Sequence, residues 1–115
     1  HGKRSSFYSD YTFGCWRRTA DGKEELLPVG KAYFGFTDEE LGQLDRWVRA
    51  HTTERFGPVR AVAPQLVLEI AFDAVQPSPR HKSGIAMRFP RVHRIRWDKP
   101  AREADDIATL RSLMA

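Results

Sequence analysis

What this chain of 115 residues lacks already narrows its chemistry. Its single cysteine, Cys15, excludes an internal disulfide and falls in a strand-like stretch where a small buried thiol is ordinary, so a reducing cytoplasm is the expected setting. No apolar run approaches the roughly 18 residues of a membrane helix, and no signal-peptide pattern is present, so no membrane association is expected. The glycine-rich phosphate loop, the dinucleotide fingerprint and the G-x-S-x-G nucleophile elbow are all missing. The four histidines, His1, His51, His81 and His93, share no ligand spacing with one another or with Cys15, so no metal site is expected. His51, near a helix end, suits a dipole contact or plain exposure, while His81 and His93 sit where a phosphate contact is available. Glu69 and Asp73 read as solvated strand acids rather than catalysts.

Acid is scarce in one region above all. From Arg80 to Arg102 there are 8 of the 19 lysines and arginines and one acid, Asp98, while the rest of the chain is slightly acidic. A concentrated basic block on such a body fits a polyanionic partner, with a simple solvated basic face as the alternative.

What is present reads as one globular domain spanning residues 1–115, without repeats or internal linkers. The chain opens at His1 rather than methionine, as expected of a processed protein or a piece of a longer one. Phe7 to Trp16 alternates as a strand, Thr19 to Lys23 is turn chemistry, and Leu26 to Tyr33 completes a hairpin. Thr37-Asp38-Glu39-Glu40 is a capping box that predicts a helix from Thr37 to about Arg55, stopped at Gly57-Pro58, with Leu41, Leu44 and Val48 on its apolar face. Leu66 to Val75 reads as one long strand. Gly84 to Phe89 and Val92 to Trp97 follow as two more, interrupted at Pro90, with a short helix from about Ala104 to Leu113. The order β-β-α-β-β-β-α fits a β-rich, five-stranded OB-fold Greek-key barrel with one intercalated helix and a short C-terminal helix, although other α+β sheets share it.

The chemistry concentrates in Arg88-Phe89-Pro90-Arg91-Val92-His93-Arg94-Ile95-Arg96-Trp97-Asp98-Lys99. Regular alternation predicts Val92, Arg94 and Arg96 on one side of a strand and His93, Ile95 and Trp97 on the other, the apolar pair entering the core. Arg94 and Arg96 then form a phosphate clamp, since guanidinium donates bidentately and stays charged. Asp98 either holds a neighbouring cation or is a turn residue before Lys99-Pro100. Phe89 is either core or an exposed ring which, beside Arg88, can press into a minor groove.

This run resembles motif VI of ATP-dependent DNA ligases, R-F-P-R-x-x-R-x-R-x-D-K. Gly35-Phe36-Thr37-Asp38-Glu39-Glu40-Leu41, Gly2-Lys3-Arg4 and the Leu66 to Arg80 approach extend the likeness over nearly the whole chain, toward a bacterial branch. The resemblance implies an OB-fold domain whose parent seals nicked double-stranded DNA in replication, repair and recombination, using ATP and Mg2+. This domain alone is expected to bind no cofactor. It also implies a nucleotidyltransferase domain in cis, bearing the lysine that becomes adenylated, and a hinge just before His1. The K-x-D-G motif of that domain does not occur here, so the chain is expected to be inactive alone and monomeric. On the matching positions Arg96, Asp98 and Lys99 carry the catalytic role and Arg94, Arg96 and Lys99 meet the nucleotide's phosphates. Lys3, Arg4, Lys82, Arg88, Phe89 and Arg91 face DNA. Two alternatives stay open: a non-catalytic OB module stacking single strands on Tyr8, Tyr11, Phe13 or Trp16, and the OB domain of an RNA ligase or mRNA capping enzyme.

Overall fold

The computed structural model describes residues 10–33, 37–57 and 59–114. The starts of the first expected strand, Lys3, Arg4, Tyr8 and the Gly35-Phe36 pair lie outside them. Strand β1 (Asp10–Arg18) pairs antiparallel with β2 (Glu24–Tyr33), as the aromatic alternation and the Thr19 to Lys23 turn predict. The turn is pinned by the Thr19 hydroxyl on the Asp21 carboxylate and by the Thr19 amide on the Lys23 carbonyl. Gly30 is needed where Phe13 crosses β2, because a Cβ there would come within 2.8 Å of the Phe13 ring.

Helix α1 (Asp38–Ala50) starts where the capping box places it, the Glu40 amide donating to the Thr37 hydroxyl. It ends earlier than the sequence suggests. Residues expected as its last turn form β3 (Thr52–Phe56), which pairs with β4 (Val59–Val62) in a second hairpin. The end is local: the His51 amide caps the helix by donating to the Trp47 and Val48 carbonyls, and the His51 ring stacks on Trp47 with 4.1 Å between centroids. Thr52 and Thr53 then favour extended backbone, and Gly57, at φ 62, makes the turn.

The expected strand from Leu66 to Val75 is two segments, β5 (Val67–Ala71) and β6 (Ala74–Pro77). They run against β8 (Arg91–Arg96) and β7 (Ile85–Arg88), so that β5-β6 and β7-β8 form one long hairpin broken midway. The break falls at Pro90, which has no N–H to donate to a ladder, opposite Phe72-Asp73. The Asp73 amide bridges it by donating to the Arg88 carbonyl at 2.9 Å. The C-terminal segment is a single 3-10 turn (Ala101–Glu103) and a short α2 (Ile107–Arg111), capped by Asp106 on the Thr109 amide rather than begun near Ala104.

Two apolar clusters hold these pieces together. Cys15, Leu27, Val29, Val75 and Ile85 of the hairpins close against Ile107 and Leu110 of α2. Leu41, Leu44 and Val48 of α1 pack on Tyr11, Val62, Leu66, Leu68, Val92 and Ile95. Leu44, 1% exposed, contributes about 2 kcal/mol by burial alone. The clusters meet across a cavity of about 420 Å³. The result is a β-rich, OB-like domain in which α1 covers one side of β5 and β8, while the other side carries buried Val67 at one end and the partly exposed Glu69, Arg94 and Arg96.

Candidate nucleic-acid interface

The β5–β8 ladder carries the basic run, and a bulge decides how it is presented. Val67 stands opposite Arg96, Leu68 opposite Ile95, Glu69 opposite Arg94, and then Ile70 opposite Val92, leaving His93 as the extra residue. The bulge resets the alternation. Val92 therefore joins Ile95 on the core side, against α1, instead of sharing the side of Arg94 and Arg96 as regular alternation predicts. Trp97 also departs from expectation. It lies beyond the last paired residue and is 49% exposed rather than buried beside Ile95.

Arg94 and Arg96 do emerge together. Arg94 Nε lies 3.3 Å and Arg96 Nη1 3.5 Å from the carboxylate of Glu69. Beyond the strand, the Lys99 amide donates to the Arg96 carbonyl at 3.3 Å, closing a turn that brings Asp98 back onto Arg96. There Arg96 Nε and Nη2 each donate to Asp98 at 3.1 Å, a two-pronged bond. That bond holds the Asp98 carboxyl below its ordinary range and raises the Arg96 guanidinium further above neutrality. Asp98 thus orders a cation and also sits in a turn. Lys99, half-buried just after it, pairs with no carboxylate among the described residues.

Phe89 resolves the other open choice: it is not core. The broken ladder leaves it at φ 52, in the left-handed region, and 63% exposed. The Arg88 guanidinium stands 5.2 Å from the ring centroid. Arg91 is occupied as a loop brace, donating to the Phe89 carbonyl at 2.8 Å and to Asp73 at 3.1 Å.

Lys82 is not brought to this side. It pairs at 2.6 Å with Glu25, which also holds Arg17, in a cluster beside α2. Lys3 and Arg4 lie outside the described residues. Of the aromatics considered for base stacking, Tyr11 and Phe13 pack on the two clusters and the Trp16 indole donates to the Ala101 carbonyl. His81 braces its loop through Nδ1 and the Ile85 carbonyl at 2.9 Å. Burial and the nearby Asp105 and Asp106 push the Cys15 thiol up to about 11, leaving it inert near neutral pH. The residue that sequence reasoning undervalued is Glu69. Its place in a strand antiparallel to the basic run was the available signal.

The site is a β-rich, OB-like ladder with Arg94 and Arg96 on one side and an exposed Arg88–Phe89 pair at its break. The family model described as "ATP dependent DNA ligase C terminal region" matches residues 4–99, and the chain belongs to that family. It is 51% identical over 115 residues to a "Probable DNA ligase" of Opitutus terrae, covering 100% of this chain and 11% of that protein. It is 52% identical over 107 residues to a "Probable DNA ligase" of Koribacter versatilis, covering 93% of this chain and 18% of that protein. To "DNA ligase 1" of Korarchaeum cryptofilum it is 39% identical over 113 residues, 98% of this chain and 20% of that protein. The chain thus spans about a fifth or less of the length of these relatives.

Proposed function

We propose that this domain serves an ATP-dependent DNA ligase in two postures. In the first it closes on the nucleotidyltransferase domain while a lysine there attacks the α-phosphorus of ATP. Arg96 and Lys99 then face the departing pyrophosphate, with Arg94 beside them and Asp98 keeping Arg96 in place. Fixed cations aimed at charge that grows on a leaving group lower the barrier most. The parent enzyme supplies the Mg2+ that such phosphoryl transfer uses.

In the second posture the domain turns to the nicked duplex. Arg88 and Phe89 enter the minor groove near the nick, the ring pressing on sugars or bases. Lys3, Arg4 and Arg91 supply backbone contacts that add affinity without sequence preference, Arg91 by exchanging its present carboxylate for phosphate, while Lys82, beside α2, would reach the backbone only from a separate face.

The observation that carries this reading is the convergence of Arg94 and Arg96 on one outward side of β8, with Lys99 just beyond. It is tested in the full-length ligase by separating the steps. Arg96→Ala is expected to impair lysine adenylation by roughly 100- to 1,000-fold, the loss of one charge-stabilising contact, and to spare sealing of pre-adenylated nicks. Arg88→Ala is expected to do the reverse. The opposite ranking would move Arg96 to DNA binding.

A further inference from the structure

The acid at the centre of the β8 ladder has no part in the reading above, yet its surroundings are specific. Glu69 Oε2 lies 3.3 Å from Arg94 Nε and 3.6 Å from His93 Nε2, while Oε1 lies 3.5 Å from Arg96 Nη1. None of these reaches the roughly 2.8 Å of a tight charge-assisted hydrogen bond. The contrast with Asp98, which takes two directed bonds from Arg96, is plain. Glu69 lies within ion-pairing distance of all three basic neighbours, its contacts to each longer than those Asp98 takes from Arg96, and its side chain remains 37% exposed.

Two guanidiniums this close on one strand repel unless an anion lies between them. We infer that Glu69 is a stand-in anion, a positioning residue that keeps Arg94 and Arg96 converged while the site is empty and yields them when phosphate arrives. The inference rests on the proposed role of this ladder, because it states what a phosphate must displace there. With Glu69 in place, the positive charges of Arg94, Arg96 and Lys99 oppose the negative charges of Glu69 and Asp98, an excess of one. Neutralising Glu69 doubles that excess and removes the competitor. Glutamine keeps the side chain's size, and the ladder's backbone bonds do not depend on it.

The test compares the chain with Glu69→Gln, using labelled nicked duplex DNA and, as a phosphate source without bases, inorganic tripolyphosphate. Glu69→Gln is expected to bind both probes more tightly, on the order of threefold at moderate salt. Its log–log salt slope for DNA is expected to steepen by about 0.9, the signature of one more phosphate neutralised. In an Arg94→Gln background the gain from Glu69→Gln should shrink toward none, a coupling that general loosening of the fold would not produce. Unchanged or weaker binding by a folded Glu69→Gln chain overturns the inference. If that chain does not fold, Glu69→Asp, which draws the carboxylate back from Arg96, is expected to give a smaller gain, and no gain overturns the inference equally. Failure of the parent chain to bind either probe is a different result. It removes the proposed role of the ladder, and the stand-in anion falls with it.

Discussion

The indole Nε1 of Trp16 donates to the carbonyl of Ala101 at 2.8 Å, joining residues 85 apart in sequence. Two further bonds run alongside, from the Trp16 amide to the Asp105 carbonyl at 3.2 Å and from Arg18 Nη2 to the Arg102 carbonyl at 2.7 Å. Together they tie the segment that follows Lys99 to β1 and so set where Lys99 can reach. Trp16→Phe keeps much of the ring's packing but leaves the Ala101 carbonyl without its donor. The expected loss is about 1–2 kcal/mol in urea unfolding. A change within measurement error would show that water replaces the indole.

How much of this was legible in advance depended on whether the signal was local. Thr37 with Glu40 announced the start of α1, and the alternation around Phe13 announced the first hairpin, because caps and period-2 burial are written in neighbouring residues. The second hairpin was missed because Gly57-Pro58 reads as the helix stop, whereas the helix ends at His51, whose amide donates to the Trp47 and Val48 carbonyls. The same limit applied to the candidate site. Arg94 and Arg96 were readable as a pair, but the inward turn of Val92 and the central place of Glu69 follow from pairing with β5, which no window of β8 contains.

Acid should weaken the fold in a defined window. Hydrogen bonding from Arg96 lowers the Asp98 carboxyl, from Thr109 the Asp106 carboxyl, and from Lys82 the Glu25 carboxyl. A group whose folded value is depressed stabilises the protein above its unfolded value and loses that contribution as pH falls through the folded one. The urea midpoint is therefore expected to stay nearly level from pH 7 to about pH 5 and to decline below about pH 4. Asp106→Asn should make the decline shallower. A midpoint that rises on acidification would contradict the assignment of these pairs.

Phe89 separates stability from binding. A non-glycine residue at φ 52 costs on the order of 1 kcal/mol, and a residue 63% exposed returns little of it by burial. Phe89→Gly is accordingly expected to leave thermal stability unchanged or slightly raised. Affinity for nicked duplex should fall by roughly five- to tenfold, the loss of one aromatic contact with the groove. If stability drops while binding holds, the ring serves the fold and not the DNA.

The extra residue at His93 explains the uneven rhythm of the basic run, in which arginines recur at an interval of three, from Arg91 to Arg94, and then of two, to Arg96. On an unbroken strand an odd interval would turn Arg91 toward α1 while its successors met the solvent. With one position absorbed, all three point the same way, so the odd count is a requirement of geometry. A chain that kept the bulge but restored an even interval would turn its first arginine toward α1, whereas one that lost both His93 and the bulge would read Arg-Val-Arg-Ile-Arg and align the charges by plain alternation.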